Sequence, residues 1–307
     1  MDAIKLTKRD LSEELSISQM NRPYDSPHSF GKTYGEHRAF LELSDEEHFE
    51  VYKHAKKHGL DFVETLCAKG CLSLLKLFTP DYLKVASRDL TNHPLLEAMA
   101  ETKIPIIVST GMAGKKELDE AIEIITKYHS NLSILHCVSQ YPTHPDNLNL
   151  STITYLKKHY GQYRKGFSDH TIGISAPSIA VGMGAEIIEK HITIDRNMKG
   201  TDQAGSLGPD GIRRMVRDIR VTERWMGKEE LYIDPCVQNA KIKLERSIAT
   251  NKDLHIGDII CEEDLHMLSP GDGFKWSQIQ DVIGKKVIMD IPKNEIIYNH
   301  ILLIYML

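Results

Sequence analysis

The chain has no CxxC pair: its five cysteines, Cys67, Cys71, Cys137, Cys236 and Cys261, are scattered over 307 residues. That spacing excludes a thiolate zinc knuckle and a disulfide framework, and it predicts a reduced, cytoplasmic protein in which Cys67 and Cys71 are buried free thiols. No apolar run is long enough to cross a bilayer, and no charged-then-apolar leader precedes the first element. Blocks of like charge are also missing. The net charge of −5 comes from 38 basic and 43 acidic residues mixed along the chain, the pattern of a solvated surface rather than of a nucleic-acid or membrane binder. Neither an internal repeat nor a low-complexity segment is present. At about 150 residues per domain, the length predicts one large domain and a small one.

What the chain does have is alternation. The apolar runs "DAIKL", "DFVETL", "YLKVAS", "IPIIVSTG", "LSILHCVS", "KGFSDH" and "AEIIEKHIT" read as buried parallel strands, with amphipathic stretches between them. Ser44 and Glu47 form a capping box that opens "DEEHFEVYKHAKKHG", and Gly59 is placed to end that helix. Leu118, Ala121, Ile122 and Ile125 mark the stripe of a helix lying on a sheet. Seven strand-helix units of this kind predict an α/β fold, a (β/α)8 barrel short of one unit. Because the chain opens directly on a strand, the absent unit is expected before Met1. Residues 1–227 are expected to form this domain. Residues 228–245, without strong period, read as a linker, and 246–307 as a small, mostly β domain built from "RSIATNK", "VIGKKVIMDI" and turn signals.

In such barrels, chemistry collects at the C-terminal ends of the strands. Lys84 and Ser87, Ser109, Ser139 and Tyr141, then Ser168, Asp169 and His170, then His191, stand at successive strand ends. Hydroxyls and lysine together fit a phosphate-bearing anion, and two histidines on neighbouring strands fit a shared divalent cation. Each has an ordinary alternative. The chain has 15 histidines, strand-end serines commonly cap the next helix, and a lysine can point its head to solvent. Asp89 and Asp202 are ordinary loop acids unless the fold brings them to the mouth. Spacing alone leaves the reaction unnamed.

The longer motifs narrow it. "KVASRDLTN", "YPTHPDNLNL", "GFSDHTIGISAPSIAVGMGAEIIEKHITIDRNMKGTDQAGSLGPD" and "IATNKDLHIGDIICEEDL" resemble the sialic acid synthase family. Arg22 to Ser44 is similar to the animal-type members and some bacterial relatives. The resemblance implies a (β/α)8 barrel followed by an antifreeze-like (SAF) domain. It also implies an activity: condensation of phosphoenolpyruvate with an N-acetylmannosamine-type sugar, free or as its 6-phosphate, to a nine-carbon 2-keto acid and phosphate. By the same motifs, His170 and His191 would bind Mn²⁺ or Mg²⁺. Lys5, Lys84, Ser87, Ser109, Ser139, Tyr141 and Ser168 would hold phosphoenolpyruvate, and Asp89, Tyr141 and Asp202 would contact the sugar. His170, His191, Asp89 and Tyr141 would be the catalytic set, and a domain-swapped homodimer is implied. The chain departs from the family in three places. The glutamate of an "EIGxNHxG" first strand has no counterpart, Thr7 stands where many relatives have glutamine, and Ser269 stands where bacterial relatives have arginine. The alternative reading is a non-catalytic binder of phosphoenolpyruvate or sugar, or an inactive truncated homologue.

Overall fold

All seven apolar runs become strands in a computed structural model, which describes residues 1–302. The last five residues of the expected C-terminal domain, 303–307, lie outside the described residues. The strands are β1 (Ala3–Lys8), β2 (Asp61–Leu66), β3 (Tyr82–Val85), β4 (Ile106–Ser109), β5 (Leu132–Cys137), β6 (Arg164–Asp169) and β7 (Ile187–Lys190). They pair in parallel in strict chain order, β1 to β7, so every connection is a crossover that carries helix on one side of the sheet.

Local signals start and stop those helices. α1 (Tyr34–Leu41) and α2 (Asp45–Lys57) each open on a capping box, Thr33 with Glu36 and Ser44 with Glu47. Gly59 ends α2 with φ +71°, a conformation that only glycine adopts without strain. α3 (His93–Glu101) and α4 (Lys115–Thr126) bury Leu95, Leu96 and Met99, and Leu118, Ala121 and Ile125, against Leu83, Val85, Ile106, Val108, Leu132 and Ile134 of the sheet. Complete burial of one such side chain is worth about 1.5–3 kcal/mol, so this outer layer contributes strongly to stability. α5 (Thr152–His159), α6 (Ser175–Gly182) and α7 (Pro209–Met226) complete the series.

The sheet also curls. Val63, Ile107 and Leu135 pack with Ala3, Tyr82 and Ile187, so the first and last strands meet the middle ones on a common concave face. Gly166 lets this happen: a Cβ there would lie 2.4 Å from Leu135 Cδ2 and 2.5 Å from the Ile187 carbonyl oxygen. Although β1 and β7 share no backbone ladder, Lys5 of β1 reaches Glu189 of β7 at 2.7 Å, and Arg220 of α7 holds Asp2 at 2.7 Å. Both edge strands remain half-exposed, whereas β4 and β5 are buried throughout.

Two compact units result, Met1–Gly227 and a second from Lys228 onward. In the second, the expected linker contains a helix, α8 (Gln238–Leu244), preceded by a helical turn at Pro235–Val237. It is too short to show a periodic stripe. β8 (Ser247–Thr250) forms within "RSIATNK", but its antiparallel partner is β9 (Leu265–Leu268). "VIGKKVIMDI" is not a continuous strand: Lys286, Val287 and Ile291 make isolated bridges to Ile259, Leu302 and Leu254. With partners changing so often, no ladder can build. Ile248, Leu254, Ile260, Val282, Val287, Ile291 and Ile297 form this unit's own core. Among the described residues, no helix is long and apolar enough to cross a membrane.

Candidate active site

Because side chains alternate along a strand, the concave set that begins with Ala3, Tyr82, Ile107, Leu135 and Ile187 continues two residues at a time toward the C-terminal ends. The next inward positions are Lys5, Lys84, Ser109, Cys137 and Glu189. Gly111, Ser139 and His191 come one step beyond, with Ser168 and His170 rising from β6. Of the residues predicted from strand ends, Lys84, Ser109, Ser139, Ser168, His170 and His191 converge because they share one parity, whereas Ser87 and Asp169 fall out of phase with it.

At the deeper end, Lys84 is only 2% exposed. Its Nζ donates to Ser109 Oγ at 2.6 Å and to the Val85 carbonyl at 3.0 Å. Burial pushes its pKa down to about 8, with Glu189 opposing. Glu189 accepts from Lys5 at 2.7 Å and from Ser168 Oγ, its register neighbour, at 2.9 Å, and lies 3.8 Å from Lys84. Burial disfavours its charge, but the two lysines more than compensate and hold the carboxyl well below its usual range. Two cations and one carboxylate leave this end net positive, which suits an anion.

Beside it is a small polar nest. Gly111 N–H donates to Ser87 Oγ at 3.0 Å. A Cβ on Gly111 would sit 2.4 Å from Ser139 Oγ, 2.8 Å from Ser87 Oγ and 2.9 Å from Cys137 Sγ. Ser87, Ser139 and Cys137 therefore surround one spot that only a glycine leaves open.

The outer end is a cleft of about 130 Å³ lined by Tyr141, His170, Lys190, His191, Thr201 and Asp202, among others. The His170 and His191 rings are 5.4 Å apart, and Tyr141 lies 4.0 Å from His170 and 6.0 Å from His191. His170 Nδ1 lies 2.8 Å from the Val138 carbonyl. That acceptor takes the Nδ1 proton, so in the neutral ring the lone pair is on Nε2. Burial lowers the pKa of His170, but Cys137, the Val138 carbonyl and Glu189 outweigh it and raise the group overall. His191 is held below the ordinary range by burial and by Lys5, so its neutral, ligating form prevails at neutral pH. This chemistry fits a divalent cation at two positions of its shell. No group of three or more His, Cys, Asp or Glu is gathered around one point among the described residues, so water and substrate oxygens would supply the rest.

Asp89 is not among the cleft's lining residues. It is buried beside Arg88, whose Nε is 3.3 Å away, in a charged cluster with Glu14 and Arg9. Burial raises its carboxyl pKa against the pull of Arg88. The predicted site set omitted Glu189, Cys137, Gly111 and Lys190, and with it the pairing of Lys190 with Asp169. The parity rule was the available signal for Glu189, which lies two residues before His191 on the same face. Gly111 could not be recognised before its neighbours were placed.

A curled parallel sheet with its polar groups at the strands' C-terminal ends is the β/α-barrel class of fold. A model of the NeuB family matches residues 1–231, and one of the SAF domain matches residues 245–302. The chain belongs to the NeuB family. It is 30% identical over 301 residues to the N-acetylneuraminate-9-phosphate synthase of Homo sapiens, covering 98% of this chain and 84% of that protein. It is 34% identical over 267 residues to the N,N'-diacetyllegionaminic acid synthase of Legionella pneumophila, covering 85% of this chain and 75% of the relative. Among solved structures, the N-acetylneuraminic acid (sialic acid) synthetase from Leptospira borgpetersenii superposes with a TM-score of 0.68 at 32% identity, over 78% of this chain and 79% of that one.

Proposed function

We propose that this chain is a C–C bond-forming transferase of the sialic-acid type, acting in the cytoplasm on phosphoenolpyruvate and an N-acetylmannosamine-type sugar. One observation carries the reading: a net-positive, hydroxyl-lined end and a two-histidine end adjoin on one concave face, bridged by Ser168, Cys137 and Glu189. Such a site holds an anionic donor next to an acceptor.

Lys5 and Lys84 neutralise the donor's charge, Ser87, Ser109 and Ser139 offer hydroxyl donors around it, and Ser168, whose proton goes to Glu189, lines the same pocket. Asp202 and Tyr141 line the outer cleft where the sugar's hydroxyls would lie, whereas Asp89, outside that cleft and paired with Arg88, is left without a sugar contact in this reading. His170 and His191 would hold Mn²⁺ or Mg²⁺, which when bound supplies Lewis acidity to the sugar's aldehyde oxygen. In the overall reaction C3 of phosphoenolpyruvate bonds to the aldehyde carbon, which takes a proton on oxygen. Water adds its oxygen at C2, the C2–O bond to phosphate breaks, and the water's remaining proton leaves with collapse to the ketone. Fixing both reactants at near-contact distance is the protein's largest contribution.

The reading includes a homodimer in which the C-terminal domain of one copy covers the mouth of the other and excludes water. Light scattering at micromolar protein should give twice the chain mass, and a monomer with full activity would remove that part.

The function itself is tested by incubating the protein with Mn²⁺, phosphoenolpyruvate and, in turn, N-acetylmannosamine, its 6-phosphate and a diacetylated bacterial sugar. Mass spectrometry should detect a new 2-keto acid with one acceptor. A folded protein that makes none with any acceptor contradicts the proposal.

A further inference from the structure

The ion pair Asp169–Lys190 borders the outer cleft beside the two histidines but has no role in the scheme above. Lys190 Nζ is 2.7 Å from Asp169 Oδ2, and the two side chains are 0% and 2% exposed. Buried pairs of this kind rarely add stability over an apolar pair, so their retention calls for another reason.

The hydrogen bonds supply one. Asp169 Oδ1 accepts from the Thr171 N–H at 2.7 Å, and Lys190 Nζ also donates to the Thr171 carbonyl. His170, which lies between Asp169 and Thr171, is therefore bracketed on both sides by one closed ring of bonds. Asp169 and Lys190 are register partners at the ends of β6 and β7, and the next residue on each strand is a histidine. The same ring therefore ties the backbone of His170 to the residue adjoining His191, beyond the point where the sheet ladder stops.

We infer that Asp169 and Lys190 are positioning residues for the two histidines: a buried latch that keeps both imidazoles level at the ends of β6 and β7 so that they can share one divalent cation. This rests on the two-histidine metal reading. It assigns the latch no contact with the ion, only control of where the two rings stand.

The test is Mn²⁺ affinity, read by electron paramagnetic resonance of free Mn²⁺, in wild type, Lys190→Met and the double variant Asp169→Leu/Lys190→Met. The single variant strands a buried carboxylate and can fail to fold; the double variant replaces the pair with apolar side chains and keeps the core filled. Circular dichroism melts identify the folded samples. Affinity should fall about 10- to 100-fold in the folded variants, as it does when groups orienting metal ligands are removed. Phosphoenolpyruvate affinity measured without metal should change by less than about threefold, since the lysines at the deeper end are untouched. A folded variant with wild-type Mn²⁺ affinity overturns the latch and leaves the metal site standing. Wild-type protein that binds no Mn²⁺ overturns the metal reading and the latch together.

Discussion

Lys84→Met should make the protein more stable and worse at binding phosphoenolpyruvate, two effects of opposite sign from one buried charge. The folded state lowers the Lys84 pKa from 10.5 to about 8, which corresponds to about 3 kcal/mol of stability withheld at neutral pH. Methionine fills similar space without that penalty. It loses the bond to Ser109 Oγ, worth about 1 kcal/mol, while Glu189 keeps Lys5 and Ser168 as partners. A net gain of about 1–2 kcal/mol follows. Urea unfolding at pH 7 measures it. The sign has a further consequence: the penalty is complete below the folded pKa and vanishes above the unfolded one, so the gap between variant and wild type should close as pH rises from about 8 to 10.5. In the same variant a charged hydrogen bond to the anion is gone, costing about 1.5–3 kcal/mol, or about 10- to 150-fold in Kd by calorimetry. A destabilised variant would refute the burial argument, and undiminished phosphoenolpyruvate binding would refute the assignment of Lys84 to the anion.

Other consequences are sharper but narrower. In wild type without metal, phosphoenolpyruvate affinity should fall above pH of about 8 as Lys84 loses its proton, by up to about tenfold per unit; a flat profile contradicts this. Gly111→Ala places a methyl group among Ser87, Ser139 and Cys137. It should destabilise by about 1–3 kcal/mol and weaken phosphoenolpyruvate binding, and wild-type affinity would show that the nest is not the anion cradle. His191→Ala should lower Mn²⁺ affinity by at least about 100-fold and abolish metal-dependent turnover, whereas unchanged Mn²⁺ dependence removes the metal assignment.

The strands and their order were legible in the sequence because a buried parallel sheet favours short, mostly apolar runs at regular spacing, and the chain has seven of them in order. Most of the site was legible for a related reason: polar residues at the ends of such runs have few other places to be. Glu189 was hidden by its position inside a run, where a carboxylate is tolerated only because Lys5 and Lys84 arrive from strands distant in sequence. Asp169 and Lys190 were unreadable as a pair because only register makes them neighbours. In the second unit, short bridges with changing partners left no periodic signal, so "VIGKKVIMDI" looked more strand-like than it is.

The most direct test of the synthase reading uses phosphoenolpyruvate labelled with heavy oxygen in the bridge between C2 and phosphorus. With Mn²⁺ and the accepted sugar, the account predicts phosphate that retains the label and appears only when the sugar is present, because the C–O bond breaks after the carbon–carbon bond forms. Release of unlabelled phosphate without any sugar would mark a phosphatase and contradict the account.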